Sequence, residues 1–91
     1  MHLTIVKEDG VVGVDMVFKK IDLSNIQPSN FRALQWDGPT TGIGGDGEVE
    51  FDGKPKPPNE DITDLGQYYQ YYEDWLAAPL PPPPFSEFNN P

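Results

Sequence analysis

The sequence predicts an α+β domain that is mostly β: a small antiparallel meander of four or five strands, one C-terminal helix and an extended proline-rich arm. Short segments that alternate apolar and polar residues fill residues 1–53, and this period is typical of strands. Apolar residues within 61–78 instead recur at helical spacing. Prolines concentrate in a stiff linker at 54–60 and in the arm at 79–91. The chain therefore divides into a β-rich domain, a linker, a helix packed on the sheet and an arm.

The N-terminal segment predicts a β-hairpin. Residues 2–7 alternate and are rich in β-branched side chains, which favours a strand. Asp9-Gly10 then supplies a turn signal before a second strand at 11–14. Gly13 within that strand marks a bulge or a close approach to the backbone.

A third extended segment follows at 17–21. Asp15-Met16 before it fits either a second turn or the middle of one continuous strand. Turn-forming residues fill 22–30 and predict an irregular loop, which Leu23 and Ile26 should hold against the core.

The segment 31–36 is the predicted central strand. Strict alternation places Phe31 on one side, and Arg32, Leu34 and Trp36 on the other. A second clean alternation at 47–53 points Val49 and Phe51 inward and the intervening acids outward. The predicted core anchors are Phe31, Leu34, Trp36 and Phe51.

The predicted helix spans 61–78. Asp61 lies at its start, where a capping side chain and negative charge are favourable. Pro79 ends it. One wide apolar face comprises Leu65, Tyr68, Tyr69, Tyr72, Trp75 and Leu76.

Charge and composition exclude several classes of function. The net charge is −9, and residues 37–91 carry all of it, so the surface repels nucleic acid and anionic membranes. The absence of cysteine excludes disulfides and thiol chemistry. No long apolar run follows Met1, so we expect neither a signal peptide nor membrane insertion, and a soluble chain made in a cytoplasm.

No residue pattern predicts catalysis or a bound cofactor. The glycines of 42–47 superficially resemble a phosphate cradle but lack its Gly-Lys-Ser/Thr ending, so we interpret them as a hairpin loop. The acids at 46–52 share one strand face, which is more typical of a solvated surface than of a calcium site. Glu73 and Asp74 point apart on the polar helix face, and His2 has no evident orienting partner. We therefore expect no enzyme, no metal and no cofactor.

Surplus aromatic residues predict a partner-binding surface. The helix has more rings than one packed face requires, and Tyr71 and Trp75 are the candidate interface anchors. In the arm, Leu80, Phe85 and Phe88 accompany a run of four prolines that would lie preordered along a partner. A ligand for a proline-recognising groove is less favoured, because such ligands usually carry a flanking basic residue.

Four segments, in order, resemble small tail-associated proteins of tailed bacteriophages and prophages, related to tail-fibre or tail-fibre-assembly proteins. They are Leu3-Thr4-Ile5-Val6, Val12-Gly13-Val14-Asp15, Leu34-Gln35-Trp36-Asp37-Gly38 with Gly47-Glu48-Val49-Glu50-Phe51 behind it, and a tyrosine-rich helix ending in Trp75. The resemblance covers about residues 2–78, and none of its motifs is catalytic. Members often continue with a longer, charged helical part, where this chain has prolines and two phenylalanines.

The resemblance implies a structural subunit of a phage tail, in the baseplate or the fibre-attachment complex. Such a subunit would dock on other tail proteins in several copies of a symmetric assembly. It would be found in the virion tail and, during assembly, in the host cytoplasm. Two alternatives stay open: a tail-fibre assembly chaperone that is absent from the mature virion, and a free-standing module that binds peptides or carbohydrate.

Overall fold

A computed structural model describes residues 1–80 of the chain. The described part is mostly β-structure with one short C-terminal helix, as predicted, but the sheet has six strands where four or five were expected. The predicted arm lies largely outside the described residues. The elements are β1 (His2–Val6), β2 (Val11–Val14), β3 (Val17–Lys20), β4 (Phe31–Asp37), β5 (Asp46–Phe51), β6 (Glu60–Ile62), a 3₁₀ turn (Gly66–Tyr68) and α1 (Tyr69–Ala77).

The strands lie in the order β3-β2-β1-β4-β5-β6, and each neighbouring pair is antiparallel. Two three-stranded meanders are thus joined side by side through β1 and β4. The predicted single meander was wrong at this point, because β4 pairs with β1 and not with β3. The loop at 22–30 makes the crossing, and it is held by Leu23 and Ile26, which are both buried as predicted.

The first two turns differ in length. β1 and β2 form the predicted hairpin, with Val6 opposite Val11. Between β2 and β3, Val14 lies opposite Val17, so Asp15 and Met16 form a two-residue turn. Of the two interpretations of Asp15-Met16, the structure therefore supports the turn.

A β-bulge corrects the predicted faces of β4. The register against β5 shifts between Phe31 and Ala33. One extra residue reverses the alternation, so Phe31 lies on the same buried face as Leu34 and Trp36, while Arg32 is exposed. The prediction that opposed Phe31 to Trp36 was wrong for this reason.

The helix begins later than predicted. Residues 60–62, assigned from sequence to the linker and the first helical turn, form β6 on the edge of β5. Gly66 follows with a φ of +55°, in the left-handed region, whereas a right-handed helix needs a φ of about −60°. A continuous helix from 61 is therefore impossible, and α1 covers only Tyr69–Ala77.

The core lies between one face of the sheet and the segments that cross it. We call this the covered face, and the opposite one the open face. The predicted anchors Phe31, Leu34 and Trp36 are fully buried, and Phe51 is half-buried against them. The ring centroids of Phe31 and Tyr68 lie 5.3 Å apart, which ties the C-terminal segment to the sheet. The other buried apolar residues are Leu3, Ile5, Val12, Val14, Leu23, Ile26, Val49, Leu65 and Tyr72.

The glycine-rich loop packs around the indole of Trp36. A Cβ atom at Gly38, Gly45 or Gly47 would overlap the Trp36 side chain. The indole Nε1 lies 3.4 Å from the carbonyl oxygen of Thr63, to which it donates. These glycines therefore serve core packing, consistent with the interpretation of this stretch as a loop.

Candidate docking surface

Lys19 fixes the end of α1 to the edge strand β3. Its side chain is 7% exposed, and its Nζ donates to the carbonyl oxygens of Trp75 at 2.7 Å and Ala78 at 2.8 Å. The same Nζ lies 4.0 Å from the centroid of the Trp75 ring. The last turn of α1 contains no basic residue, so a strand supplies the positive charge that the helix C-terminus favours.

Trp75 completes this attachment. Its Nε1 donates to the carbonyl oxygen of Val17 at 2.9 Å, and its ring is half-buried. The indole N–H and one face of the ring therefore make their contacts within the same chain. Of the other predicted partner-binding residues, Tyr71 is half-buried against the core and Leu80 is 70% exposed, whereas Phe85 and Phe88 lie outside the described residues.

The surroundings of Tyr71 disfavour the negatively charged phenolate form of its side chain. Burial raises the pKa of the Tyr71 hydroxyl, and the carboxylates of Asp74 and Asp22 raise it further. Burial likewise raises the pKa of Tyr68, whose hydroxyl donates to the carbonyl oxygen of Gln27 at 3.2 Å. Both rings are neutral at physiological pH and act as apolar surface.

An exposed apolar surface surrounds the attachment of α1 to β3. Met16 is 74% exposed, Leu80 70% and Leu76 56%, and the neighbouring Val17 and Phe18 are about two-fifths exposed. We call Met16, Val17, Leu76 and Leu80 the hairpin patch, because the β2–β3 register places Phe18 on the opposite face of the sheet. They belong to the β2–β3 hairpin and to the end of the C-terminal segment, which the contacts of Lys19 and Trp75 hold together. Sequence reasoning found Leu80 but missed the hairpin residues, because β3 gives no sign in sequence that it is an edge strand.

The turn of the hairpin is conformationally costly. Asp15 and Met16 have φ values of 48° and 72°, in the left-handed region that favours glycine. Asp adopts this region more readily than most residues, whereas Met has no side-chain group that stabilises it there. The turn thus holds an exposed apolar side chain at a position where glycine would be more stable, and backbone strain of this kind is enriched at functional sites.

The absence of a side chain at Gly13 leaves room for the ring of Phe18, which lies opposite it. A Cβ at Gly13 would overlap the Phe18 ring, so the aromatic ring lies directly over the backbone of β2. This confirms the predicted close approach at Gly13. Register places Phe18 on the open face with Thr4, away from the core.

A polar network crosses the open face between β1 and β4. His2 Nδ1 lies 2.8 Å from Asp37 Oδ1, and His2 Nε2 lies 3.3 Å from Thr4 Oγ1. The Thr4 hydroxyl donates to Gln35 Oε1 at 2.9 Å. Sequence reasoning missed Asp37 as the partner of His2, because the pairing follows from the β1–β4 register.

The acids of β5 lie beside this network. Glu50 accepts a hydrogen bond from Lys56 Nζ at 2.5 Å, and Arg32 Nε lies 3.7 Å from it. The Lys56 hydrogen bond holds the pKa of Glu50 below its usual range. Glu48 accepts from Asn59 Nδ2 at 3.0 Å. Within residues 1–80, no group of three histidine or acidic side chains is arranged to hold a metal ion.

No protein family, curated protein or solved structure was found to match the chain. Among the described residues, no helix has the length and apolar character that crossing a membrane requires.

Proposed function

We propose that the chain is a structural subunit of a bacteriophage tail, in the baseplate or the fibre-attachment complex. It acts by docking on other tail proteins, in several copies, and not by catalysis. The four ordered segments that resemble tail-associated proteins suggest this setting. The observation that carries the docking role is the hairpin patch.

The hairpin patch supports docking because it concentrates exposed apolar side chains in one region of a strongly acidic chain. Exposed apolar patches of soluble proteins commonly mark interaction sites. Lys19 and Trp75 hold the two halves of the patch together through hydrogen bonds, so the surface is preformed and little ordering entropy is lost on binding.

The acidic side chains of the open face are a second argument for docking. Asp37, Asp46, Glu48 and Asp61 line a shallow cleft of about 300 Å³ together with Gln35. A surface of this charge steers a basic protein surface toward it and repels nucleic acid. The lining of this cleft contains no aromatic ring on which a sugar could stack.

Peptide mass spectrometry of purified phage particles tests the proposal. Particles from a host that carries the sequence should contain this chain in a fixed ratio to the other tail proteins. Absence of the chain from mature particles, with presence in assembly intermediates, would support the chaperone alternative and overturn the structural role.

Paired substitutions test the patch itself. The Met16→Ser/Leu76→Ser chain should be incorporated into particles less than the wild-type chain, because both side chains are exposed and apolar. Ile43→Ser is the matched control, since Ile43 is 64% exposed but lies in the glycine-rich loop. Equal incorporation of both variants would remove the hairpin patch from the proposal.

A further inference from the structure

We propose that the outer edge of β3 pairs antiparallel with the β3 edge of a second copy, so that two sheets join into one across a two-fold axis at Lys19. This pairing concerns the chain by itself, so it goes beyond the proposed function and requires no other tail protein. Three features of β3 carry it: its position at the sheet edge, the direction of its backbone groups and the order of its side chains.

β3 is the terminal strand of the sheet. Its inner side pairs with β2, and its outer side pairs with no other strand of residues 1–80. Three of its four side chains are exposed, and the strand contains no proline. Such an edge offers unpaired N–H and C=O groups to an added strand.

The hydrogen bonds of the hairpin show which backbone groups of β3 point outward. The Ile21 N–H donates across the hairpin to the carbonyl oxygen of Gly10 at 3.0 Å, so Ile21 directs its backbone groups toward β2. Because these groups alternate in direction along an antiparallel strand, Lys19 also faces β2. Phe18 and Lys20 therefore direct their N–H and C=O groups outward. The free edge thus presents two donors and two acceptors.

This spacing of backbone groups is self-complementary. When two copies of β3 pair antiparallel with Lys19 at the two-fold axis, Phe18 of each copy lies opposite Lys20 of the other. Each of these two residue pairs exchanges both of its N–H···O bonds, so all the outward groups of both copies are satisfied. A two-fold pair joins the same surface of both copies, which this edge provides without any other segment.

The side chains on the open face favour the same register. Phe18 is 39% exposed, and Lys20 of the second copy lies opposite it, where its ammonium group can reach the aromatic ring. Moving the axis to Lys20 would place two lysines directly opposite each other, and like charges disfavour this. Moving it to Phe18 would bring Lys20 opposite Met16, whose φ of 72° does not fit a strand.

On the covered face, the axis brings the two Lys19 side chains opposite each other. Their repulsion is weakened, because each Nζ is held by the helix end of its own copy, where it donates to the carbonyl oxygens of Trp75 at 2.7 Å and Ala78 at 2.8 Å. Val17 of each copy lies opposite Ile21 of the other, and these apolar side chains are exposed and half-buried in the single chain. Pairing therefore covers part of the hairpin patch.

Amide hydrogen exchange of the full chain, followed by NMR at low and high protein concentration, tests the pairing at single residues. The outward amides of Phe18 and Lys20 should exchange at least about tenfold more slowly at high concentration. Asp61 is the control, because it lies in β6 at the opposite edge of the sheet, and its exchange rate should not change. Rates at Phe18 and Lys20 that are independent of concentration would overturn the proposal.

A proline substitution removes one outward donor. Lys20→Pro deletes an N–H that makes no bond to β2, and proline is tolerated on the free side of an edge strand. Lys20→Gln is the matched control, since it removes the charge and keeps the N–H. In sedimentation velocity, the wild-type chain should form a concentration-dependent dimer, whose dissociation constant rises at least about tenfold with Lys20→Pro and much less with Lys20→Gln.

Circular dichroism verifies that both Lys20 variants stay folded. A wild-type chain that is monomeric throughout, or a dimer that is indifferent to Lys20→Pro, would contradict the pairing of the β3 edges.

Disulfide trapping determines the register, because the chain contains no cysteine that would give a background. A mixture of the Phe18→Cys and Lys20→Cys chains should form mixed dimers under mild oxidation, in higher yield than either chain gives by itself. A disulfide needs the two Cα atoms within about 7 Å, so its formation reports proximity. Phe18→Cys mixed with Asp61→Cys should give little cross-linking. A higher yield from this second mixture would overturn the two-fold pair in favour of head-to-tail addition of β3 to β6.

The outcome is separable from that of the proposed function. A monomeric chain that is nonetheless present in purified particles removes the two-fold pair and leaves the structural role. A dimer joined through β3, in a chain that is absent from particles, does the reverse.

Discussion

The two faces of the sheet draw their contacts from different parts of the chain. On the covered face, residues distant in sequence meet: Phe31 contacts Tyr68, and Lys19 holds the carbonyls of Trp75 and Ala78. On the open face, polar side chains pair mostly across neighbouring strands, as His2 does with Asp37. We therefore expect the covered face to contribute most of the free energy of unfolding, and the ion pairs of the open face to add a dependence on pH. Four substitutions probe this division, in order of decreasing effect.

Trp36 should show the largest effect. It is fully buried at the centre of the covered face, and three glycines pack around its indole. Trp36→Ala should lower the free energy of unfolding by about 3–5 kcal/mol, measured by urea denaturation. Ile43→Ala, at an exposed site, should change it by less than about 0.5 kcal/mol. A loss for Trp36→Ala as small as that of the control would refute the assignment of the core.

Lys19 should come second, because it is a buried charge that makes hydrogen bonds to the helix end. Lys19→Met keeps the apolar stem but removes both bonds, and we expect a loss of about 1.5–3 kcal/mol in the same assay. Lys20→Met is the matched control on the exposed side of the same strand and should be close to neutral. Hydrogen exchange of the α1 amides should accelerate in the Lys19 variant alone.

Met16 separates stability from docking. Met16→Gly relieves the strain of a φ of 72° and should raise the free energy of unfolding by about 1 kcal/mol. Met16→Ser removes the same apolar side chain but keeps the strained Cβ, so its stability should be nearly unchanged. Both variants should dock less well than the wild-type chain. If Met16→Gly gained no stability over Met16→Ser, the turn would not carry the proposed strain.

Local patterns predicted the mostly β fold, the first hairpin and the buried anchors, because period-two alternation and turn residues act over short distances. The order of the strands was not predictable in this way. The pairing of β1 with β4 joins segments that are distant in sequence, and the loop between β3 and β4 buries Leu23 and Ile26. The bulge at Arg32 was missed for a related reason, since one inserted residue leaves no mark in the composition of the strand.

The start of the helix and the docking surface were also missed because they depend on contacts between distant segments. Gly66 with its positive φ and the pairing of residues 60–62 with β5 delayed the helix start that the capping pattern favoured. The exposure of Met16, Val17 and Phe18 follows from the position of β3 at the sheet edge, which only the full topology reveals. The burial of Lys19 likewise follows from the position of α1, whose last carbonyls it binds.

The smallest effect should come from the open face, as a change in pH dependence. The Lys56 hydrogen bond lowers the pKa of Glu50 in the folded chain, so the charged carboxylate stabilises the fold above the unfolded pKa near 4.5. This contribution is lost as the pH falls through the lower, folded pKa. Lys56→Met should therefore lower thermal stability slightly at neutral pH and leave it unchanged at low pH, so that the acid limb of the profile becomes flatter; the effect is small because the pair is exposed. Lys54→Met, an exposed lysine two residues away, should leave the profile unaltered. An acid limb that Lys56→Met leaves equally steep would remove the Glu50–Lys56 pair from the pH response, and with it this difference between the two faces.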